Sequence, residues 1–164
     1  MGLLDLLGGG EPGVKVGERA PDFALADANG KEVRLSHFAG RPVVLYFYPK
    51  DDTPGCTREA CTFRDQYADF EAAGAAVLGV SSDSSESHRR FTARHRLPFT
   101  LLADLGGKVR KRYGVPATLG LLPGRVTFVI DGAGVVRHVF SSQLDAARHV
   151  EEALGVLRKA GQRG

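Results

Sequence analysis

Val43-Val44-Leu45-Tyr46-Phe47-Tyr48-Pro49-Lys50-Asp51-Asp52-Thr53-Pro54-Gly55-Cys56 is the stretch that decides how this chain folds. Its first half is an unbroken apolar run, the pattern of a strand covered on both faces. Pro49 ends that strand, and Pro54 and Gly55 lie in the turn before Cys56. Ala60, Phe63, Tyr67 and Phe70 follow Cys56 at spacings of four, three, four and three, which predicts one helix over about residues 56–72. A cysteine therefore stands where a strand turns into a helix. Backbone N–H groups of a first helical turn lack intrahelical partners and carry positive partial charge, so a thiolate is stabilised there. Cys56 is the candidate nucleophile.

Upstream, Phe23-Ala24-Leu25 and Val33-Arg34-Leu35 flank Asp27-Ala28-Asn29-Gly30, a hairpin signal. Downstream, Ala75 to Ser81 reads as a second buried strand. Asp83-Ser84-Ser85-Glu86 resembles a capping box and opens a helix to about Arg96. A short strand near Phe99 to Leu102 and a basic helical turn near residues 107–113 follow. Val126 to Ile130 and Val135 to Phe140 surround Asp131-Gly132-Ala133-Gly134 as a second hairpin. A last helix over about 145–159 carries Val150, Leu154 and Leu157 on one face. This order implies an α/β chain with a mixed central sheet, helices on both faces and an N-terminal β-hairpin extension. Gly8-Gly9-Gly10 cannot hold a helix for long, so residues 1–13 are expected to be a flexible arm and 14–164 a single domain.

The 164 residues suffice for one domain with a substantial core, and 43% apolar with 25% charged residues is ordinary for a globular protein. No apolar run approaches the roughly 20 residues of a membrane helix. Met1 to Leu7 lacks the basic start and long apolar middle of a signal peptide, so a cytoplasmic location is expected. Two cysteines are too few for a secreted disulfide scaffold and suit a cytosolic redox pair. The net charge of +3 is small. Arg89, Arg90, Arg94 and Arg96, and the run from Lys108 to Arg112, read as solvated helix faces, so neither nucleic acid nor membrane is an expected partner. His37, His88, His95, His138 and His149 show no metal-ligand spacing, and no metal is expected. Asp51-Asp52 read as solvated loop acids.

Thr53, three residues before Cys56, is either a helix cap or a group whose hydroxyl donates to a small substrate while accepting from a backbone N–H. Pro49 terminates the strand and is placed to shield the sulfur from water. Cys61 is the other cysteine. In an ideal helix, Cα atoms five residues apart are about 8.6 Å apart, beyond the roughly 4.4–6.8 Å that a disulfide spans. Either the pair is inert, or its chemistry includes unwinding of the first turn.

At this point a resemblance becomes close. Tyr48 through Cys61 resembles the active-site segment of peroxiredoxins of the PrxQ subfamily, also called bacterioferritin comigratory proteins. Pro49, Thr53 and Cys56 meet the family pattern Pro-x-x-x-Thr-x-x-Cys, and Cys61 matches a second cysteine that many members carry. Phe63-Arg64-Asp65, Tyr113-Gly114-Val115-Pro116 and Leu122 through Asp131 extend the similarity over nearly the whole chain after residue 14.

That resemblance implies a thioredoxin fold and a thiol peroxidase. Cys56 would attack hydrogen peroxide or an organic hydroperoxide, and Cys61 would resolve the sulfenic acid as a Cys56–Cys61 disulfide. Thioredoxin, or glutaredoxin, would restore both thiols. Arg125 matches the family's active-site arginine, and Glu59 matches a position that orients it. No cofactor is implied, because sulfur carries the electrons. A monomer is implied, with weak dimers through the sheet edge or active-site loops also known in the subfamily.

Two rivals stand beside it. A thioredoxin-like disulfide oxidoreductase would use Cys-x-x-Cys and a proline before the late strand, where this chain has four intervening residues and Val126. A redox-sensing or nucleic-acid-binding module would show salt-sensitive DNA binding without peroxide turnover.

Overall fold

The structure, a computed structural model, describes residues 13–115, 117–118 and 122–163. Most of the Gly-rich arm predicted over 1–13, and Pro116 of the Tyr113–Pro116 motif, lie outside the described residues. Strands β1 (Ala24–Asp27), β2 (Glu32–Arg34) and β3 (Val43–Phe47) come first, followed by helices α1 (Pro54–Asp65) and α2 (Tyr67–Ala72). Then come β4 (Ala76–Ser81), α3 (Ser85–His95), β5 (Thr100–Ala103) and α4 (Lys108–Arg112). The chain closes with a small ribbon of β6 (Ala117–Thr118) and β7 (Leu122–Pro123), then β8 (Val126–Ile130), β9 (Val136–Ser141) and α5 (Ala146–Arg163).

Seven strands form one mixed sheet in the order β2-β1-β5-β4-β3-β8-β9. β3 runs parallel to β4, and β4 parallel to β5, while β1 pairs antiparallel with β2 and β5. β8 is antiparallel to both β3 and β9. This is the mixed thioredoxin-type sheet that the sequence predicts, with the N-terminal hairpin added at one edge. Every residue of β3, β4 and β8 is buried, which is why those segments read as continuous apolar runs instead of alternating ones.

The two sheet faces carry separate cores. On one, Val44, Tyr46, Val77, Leu101 and Val129 pack against Phe63, Phe70, Phe91 and Val150 from the helices. On the other, Leu45, Leu78, Val80 and Phe128 meet Phe23, Leu35, Val109 and Tyr113. The alternation follows from successive strand side chains pointing to opposite faces. Tyr46 stacks on Phe63 with ring centroids 4.5 Å apart, which fixes α1 on the sheet.

Both hairpin turns are tied by an aspartate. Asp27 Oδ1 accepts from the N–H groups of Asn29 and Lys31. Asp131 Oδ1 accepts from those of Ala133 and Val135.

Two local expectations are corrected. The helix predicted over 56–72 is two helices, because the backbone leaves the helical region at Gln66 (φ −100, ψ 8). Across that break Phe63 and Phe70 still meet, 5.4 Å between ring centroids. The cap of α3 is Ser84, whose side chain accepts from Ser87 N, and not Asp83. Asp83 is instead drawn inward, accepting from Asp51 N and Ser81 Oγ.

Candidate active site

Strand register builds the site. Phe47, the last residue of β3, is paired with Val126, the first of β8, so Arg125 arrives beside the loop that leaves β3. That loop runs from Tyr48 to Thr53 and delivers Cys56 into the first turn of α1. Thr53 occupies the N-cap position, with Pro54 at the first helical residue. The Thr57 N–H makes the first helical bond, to Thr53 O at 2.8 Å. The amides of Gly55 and Cys56 belong to the turn whose N–H groups have no intrahelical acceptor. Cys56 is 1% exposed and heads the buried stripe of Glu59, Ala60 and Phe63, as its spacing predicts.

Arg125 is the centre of the arrangement and only 5% exposed. Its Nη2 donates to Cys56 Sγ at 3.5 Å, and its Nη1 to Glu59 Oε1 at 2.6 Å. Its Nε donates to the Gln143 carbonyl at 3.4 Å. One rigid guanidinium fork thus spans the sulfur and a carboxylate at once, a geometry lysine cannot supply. Burial works against its charge, but Glu59 and Cys56 outweigh that and raise its pKa. Gly55 makes room for it, since a Cβ there would lie 2.9 Å from Arg125 Nη2.

Behind Arg125, Glu59 meets a buried histidine that the sequence reading missed, His149. Glu59 is fully buried, and its Oε2 makes no hydrogen bond; the nearest ring nitrogen is His149 Nδ1 at 3.7 Å. His149 Nε2 donates to the Ser142 carbonyl at 2.8 Å, because a carbonyl can only accept. Its Nδ1 is left to accept from the Thr127 hydroxyl, also at 2.8 Å. Burial pushes His149 down to about 4, assisted by the Arg125 charge, so the ring is neutral at ordinary pH. Burial likewise pushes Glu59 up to about 8, with Arg125 pulling the other way. Glu59 therefore faces a lone pair on one side and a cation on the other.

Thr53 is half-buried and differs from its expected bonding. Its hydroxyl donates to the Lys50 carbonyl at 2.8 Å, and its side chain makes no cap bond. The hydroxyl proton is engaged, so toward a ligand its oxygen is an acceptor, not the donor the sequence reading supposed. Pro49 is half-buried directly after Tyr48. Cys61 lies in α1 and is partly exposed. It stands five positions after Cys56, with four helical residues between them, so the two sulfurs sit on different sides of the same intact helix.

Asp51 contradicts its expected solvation: it is 5% exposed and hydrogen-bonded to Tyr48, Ser87 and His88, whereas Asp52 beside it is exposed. A cavity of about 520 Å³, lined in part by Arg19, Leu35, Phe38 and Ile130, lies at the opposite end of β3 and contains none of these residues. No helix among the described residues is long and apolar enough to cross a membrane.

The chain is similar in sequence and fold to known proteins. The AhpC/TSA family model matches residues 16–139. Chloroplastic peroxiredoxin Q of Oryza sativa subsp. japonica is 53% identical over 146 residues, covering 88% of this chain and 67% of that protein. The peroxidoxin BcpB of Mycobacterium tuberculosis superposes with a TM-score of 0.83 at 40% identity, over 89% of this chain and 97% of that one. A bacterioferritin comigratory protein of Xanthomonas campestris, studied for alkyl peroxide reduction, gives a TM-score of 0.80 at 31% identity, over 90% and 97%. A family match across the sheet and the Cys56 loop, with peroxiredoxin Q relatives at this identity, makes the chain a member of the AhpC/TSA family and a thiol peroxidase of the peroxiredoxin kind.

Proposed function

We propose that this chain reduces hydrogen peroxide and organic hydroperoxides with Cys56 as the attacking sulfur and Cys61 as its resolving partner. The observation that carries the reading is Arg125 Nη2 aimed at Cys56 Sγ at the head of α1. The Cys56 thiolate attacks one peroxide oxygen, the O–O bond breaks, and the sulfur becomes a sulfenic acid. The leaving oxygen departs as hydroxide or alkoxide and takes a proton, giving water or an alcohol. Arg125 and the first-turn amides stabilise charge as the O–O bond lengthens, and Thr53 Oγ1 accepts from the peroxide O–H. Pro49 limits the access of water.

The first turn of α1 then unwinds, and the Cys61 thiolate displaces hydroxide from the Cys56 sulfur to form a disulfide. Thioredoxin, or a glutaredoxin, supplies two electrons by exchange through a mixed disulfide. No metal or organic cofactor takes part. The chain acts as a monomer in the cytoplasm, a location supported by its two-cysteine content, although the plant relatives are chloroplast proteins. Alkyl peroxide reduction by the Xanthomonas campestris relative supports the substrate class.

Peroxide consumption coupled to thioredoxin and its reductase tests this. Wild type turns over, Cys56→Ser does not, and Cys61→Ser reacts once and then stalls or over-oxidises. Equal turnover by wild type and Cys56→Ser refutes the assignment.

A further inference from the structure

The loop between β3 and α1 is fastened at one residue. Asp51 Oδ1 accepts from the Tyr48 hydroxyl at 2.6 Å, and Oδ2 accepts from Ser87 Oγ at 2.9 Å. His88 Nδ1 lies 2.7 Å from Oδ2, and His88 Nε2 donates to the Leu102 carbonyl at 3.0 Å. The backbone is held too: Asp51 N donates to Asp83 Oδ2 at 2.8 Å, and Ser81 Oγ donates to the same oxygen at 2.6 Å. A continuous set of bonds thus runs from the active-site loop into α3 and on to β4 and β5. His88 is fully buried.

Asp51, Asp83 and His88 would also bring ligand atoms within 4.8 Å of one another. Those atoms already accept from Tyr48, Ser87, Ser81 and a backbone amide, and His88 faces an acceptor with each ring nitrogen. The cluster is internally satisfied, so it reads as a fastening and not as a cation site. Asp52, next in the chain, has φ 61, a left-handed conformation that a non-glycine residue adopts at a cost. Its carboxylate meets Arg94 Nη1 at 3.1 Å on the surface.

We propose that Asp51 and His88 are positioning residues that clamp the Pro49–Thr53 loop, hold Thr53 and Cys56 in the peroxide-reactive arrangement, and oppose the unwinding that lets Cys61 reach Cys56. The proposal rests on the peroxidase reading above. Among the described residues, no hydrogen bond links Asp51 or His88 to Cys56, Glu59 or Arg125, so their influence passes through the loop. Two states are in balance: the intact first turn that reacts with peroxide, and the unwound one that forms the disulfide. Weakening the clamp shifts population from the first to the second. The two rate constants must then move in opposite directions, whereas a residue that only supports the fold lowers both together.

The test uses His88→Ala and Asp51→Asn, with Ser87→Ala as a milder variant that removes one donor. Quenched reaction with hydrogen peroxide, read by mass spectrometry, gives the rates of sulfenic acid and disulfide formation. The clamp predicts that the peroxide rate constant falls about tenfold, that disulfide formation accelerates, and that about tenfold more peroxide is needed to over-oxidise Cys56. Ser87→Ala shows a smaller change in the same directions. Amide exchange gives an arm independent of turnover: protection of residues 57–61, whose amides make the first helical bonds of α1, falls about tenfold in His88→Ala, while that of β4 and α5 holds. Parallel loss of both rates, or unchanged exchange at residues 57–61, overturns the clamp. Failure of wild type to consume peroxide would instead sink the peroxidase reading, and the exchange data would still decide the clamp.

Discussion

Arg125 Nη2 stands 3.5 Å from Cys56 Sγ, although the two residues are 69 positions apart in the chain. Two pieces of geometry create the meeting. The antiparallel pairing of Phe47 with Val126 brings Arg125 to the end of β3, and the loop after β3 folds Cys56 back over that end. Glu59, one turn along α1, takes the other arm of the guanidinium at 2.6 Å. The cation is therefore oriented before any peroxide arrives, which is the condition under which such a group lowers a barrier most.

Replacing that cation tests its weight. Arg125→Met is expected to lower the second-order rate constant for hydrogen peroxide by about 100-fold, the usual loss for a donor aimed at developing charge. Arg125→Lys is expected to recover only part of it, because an ammonium cannot reach the sulfur and Glu59 together. Competition against a haem peroxidase measures both values. An unchanged rate constant in Arg125→Met removes the guanidinium from the account.

Thr53 makes a narrower prediction. Its hydroxyl proton is committed to the Lys50 carbonyl, so what it offers a peroxide is an oxygen lone pair. Thr53→Ser keeps that oxygen and is expected to stay within about threefold of wild type, whereas Thr53→Val is expected to lose about tenfold or more, one charge-coupled hydrogen bond. The same competition assay separates them. Equal loss in both variants points to packing of the methyl group instead.

Glu59 supplies a pH dependence whose sign is fixed. Its carboxyl is pushed from 4.5 up to about 8 by burial, so the folded chain holds a proton that the unfolded chain has released. Stability contributed by this group is full below 4.5 and is lost as pH rises toward 8. Relative to Glu59→Gln, wild type should weaken across that window in denaturant titrations. Above pH 8 the ionised carboxylate also neutralises Arg125, so the peroxide rate constant should bend downward there in wild type and not in Glu59→Gln. Identical stability slopes for the two proteins contradict the assignment.

His149 gives the opposite slope. Its folded value of about 4 lies below the ordinary 6.5, so the unfolded chain binds the proton first. Stability from this group is full above 6.5 and is lost as pH falls toward 4, by on the order of 3 kcal/mol in total. His149→Gln removes the titration, and its stability should fall less on acidification than that of wild type. Matching acid profiles would show that His149 does not carry the effect.

How much of this was readable from the residues alone varies with the range of the contact. The β3 strand, its proline stop and the helical stripe headed by Cys56 are local patterns, and they appear where their periodicity places them. Glu59 shares that stripe, three residues after Cys56, so its burial was legible once the helix was. Arg125 carries no local mark: its role depends on the Phe47–Val126 register, and only the family resemblance singled it out.

His88 and His149 did leave a signal. Phe91 lies three residues after His88 and Ala153 four after His149, so each histidine sits on the buried face of its helix. Their signal is this position on a buried helix face, and not metal-ligand spacing. Asp51 left none. Two adjacent loop acids look alike in sequence, and only the arrival of α3 and the bond to Tyr48 separate the buried one from the exposed one.

The most direct measurement of the central claim, that Cys56 is the sulfur that takes the peroxide oxygen, is a chemical trap on the Cys61→Ser protein. One equivalent of hydrogen peroxide is added in the presence of dimedone, and the modified residue is located by peptide mass spectrometry. The account predicts a single dimedone adduct on Cys56, formed in proportion to the peroxide consumed. Peroxide consumed with Cys56 left as a free thiol would contradict it.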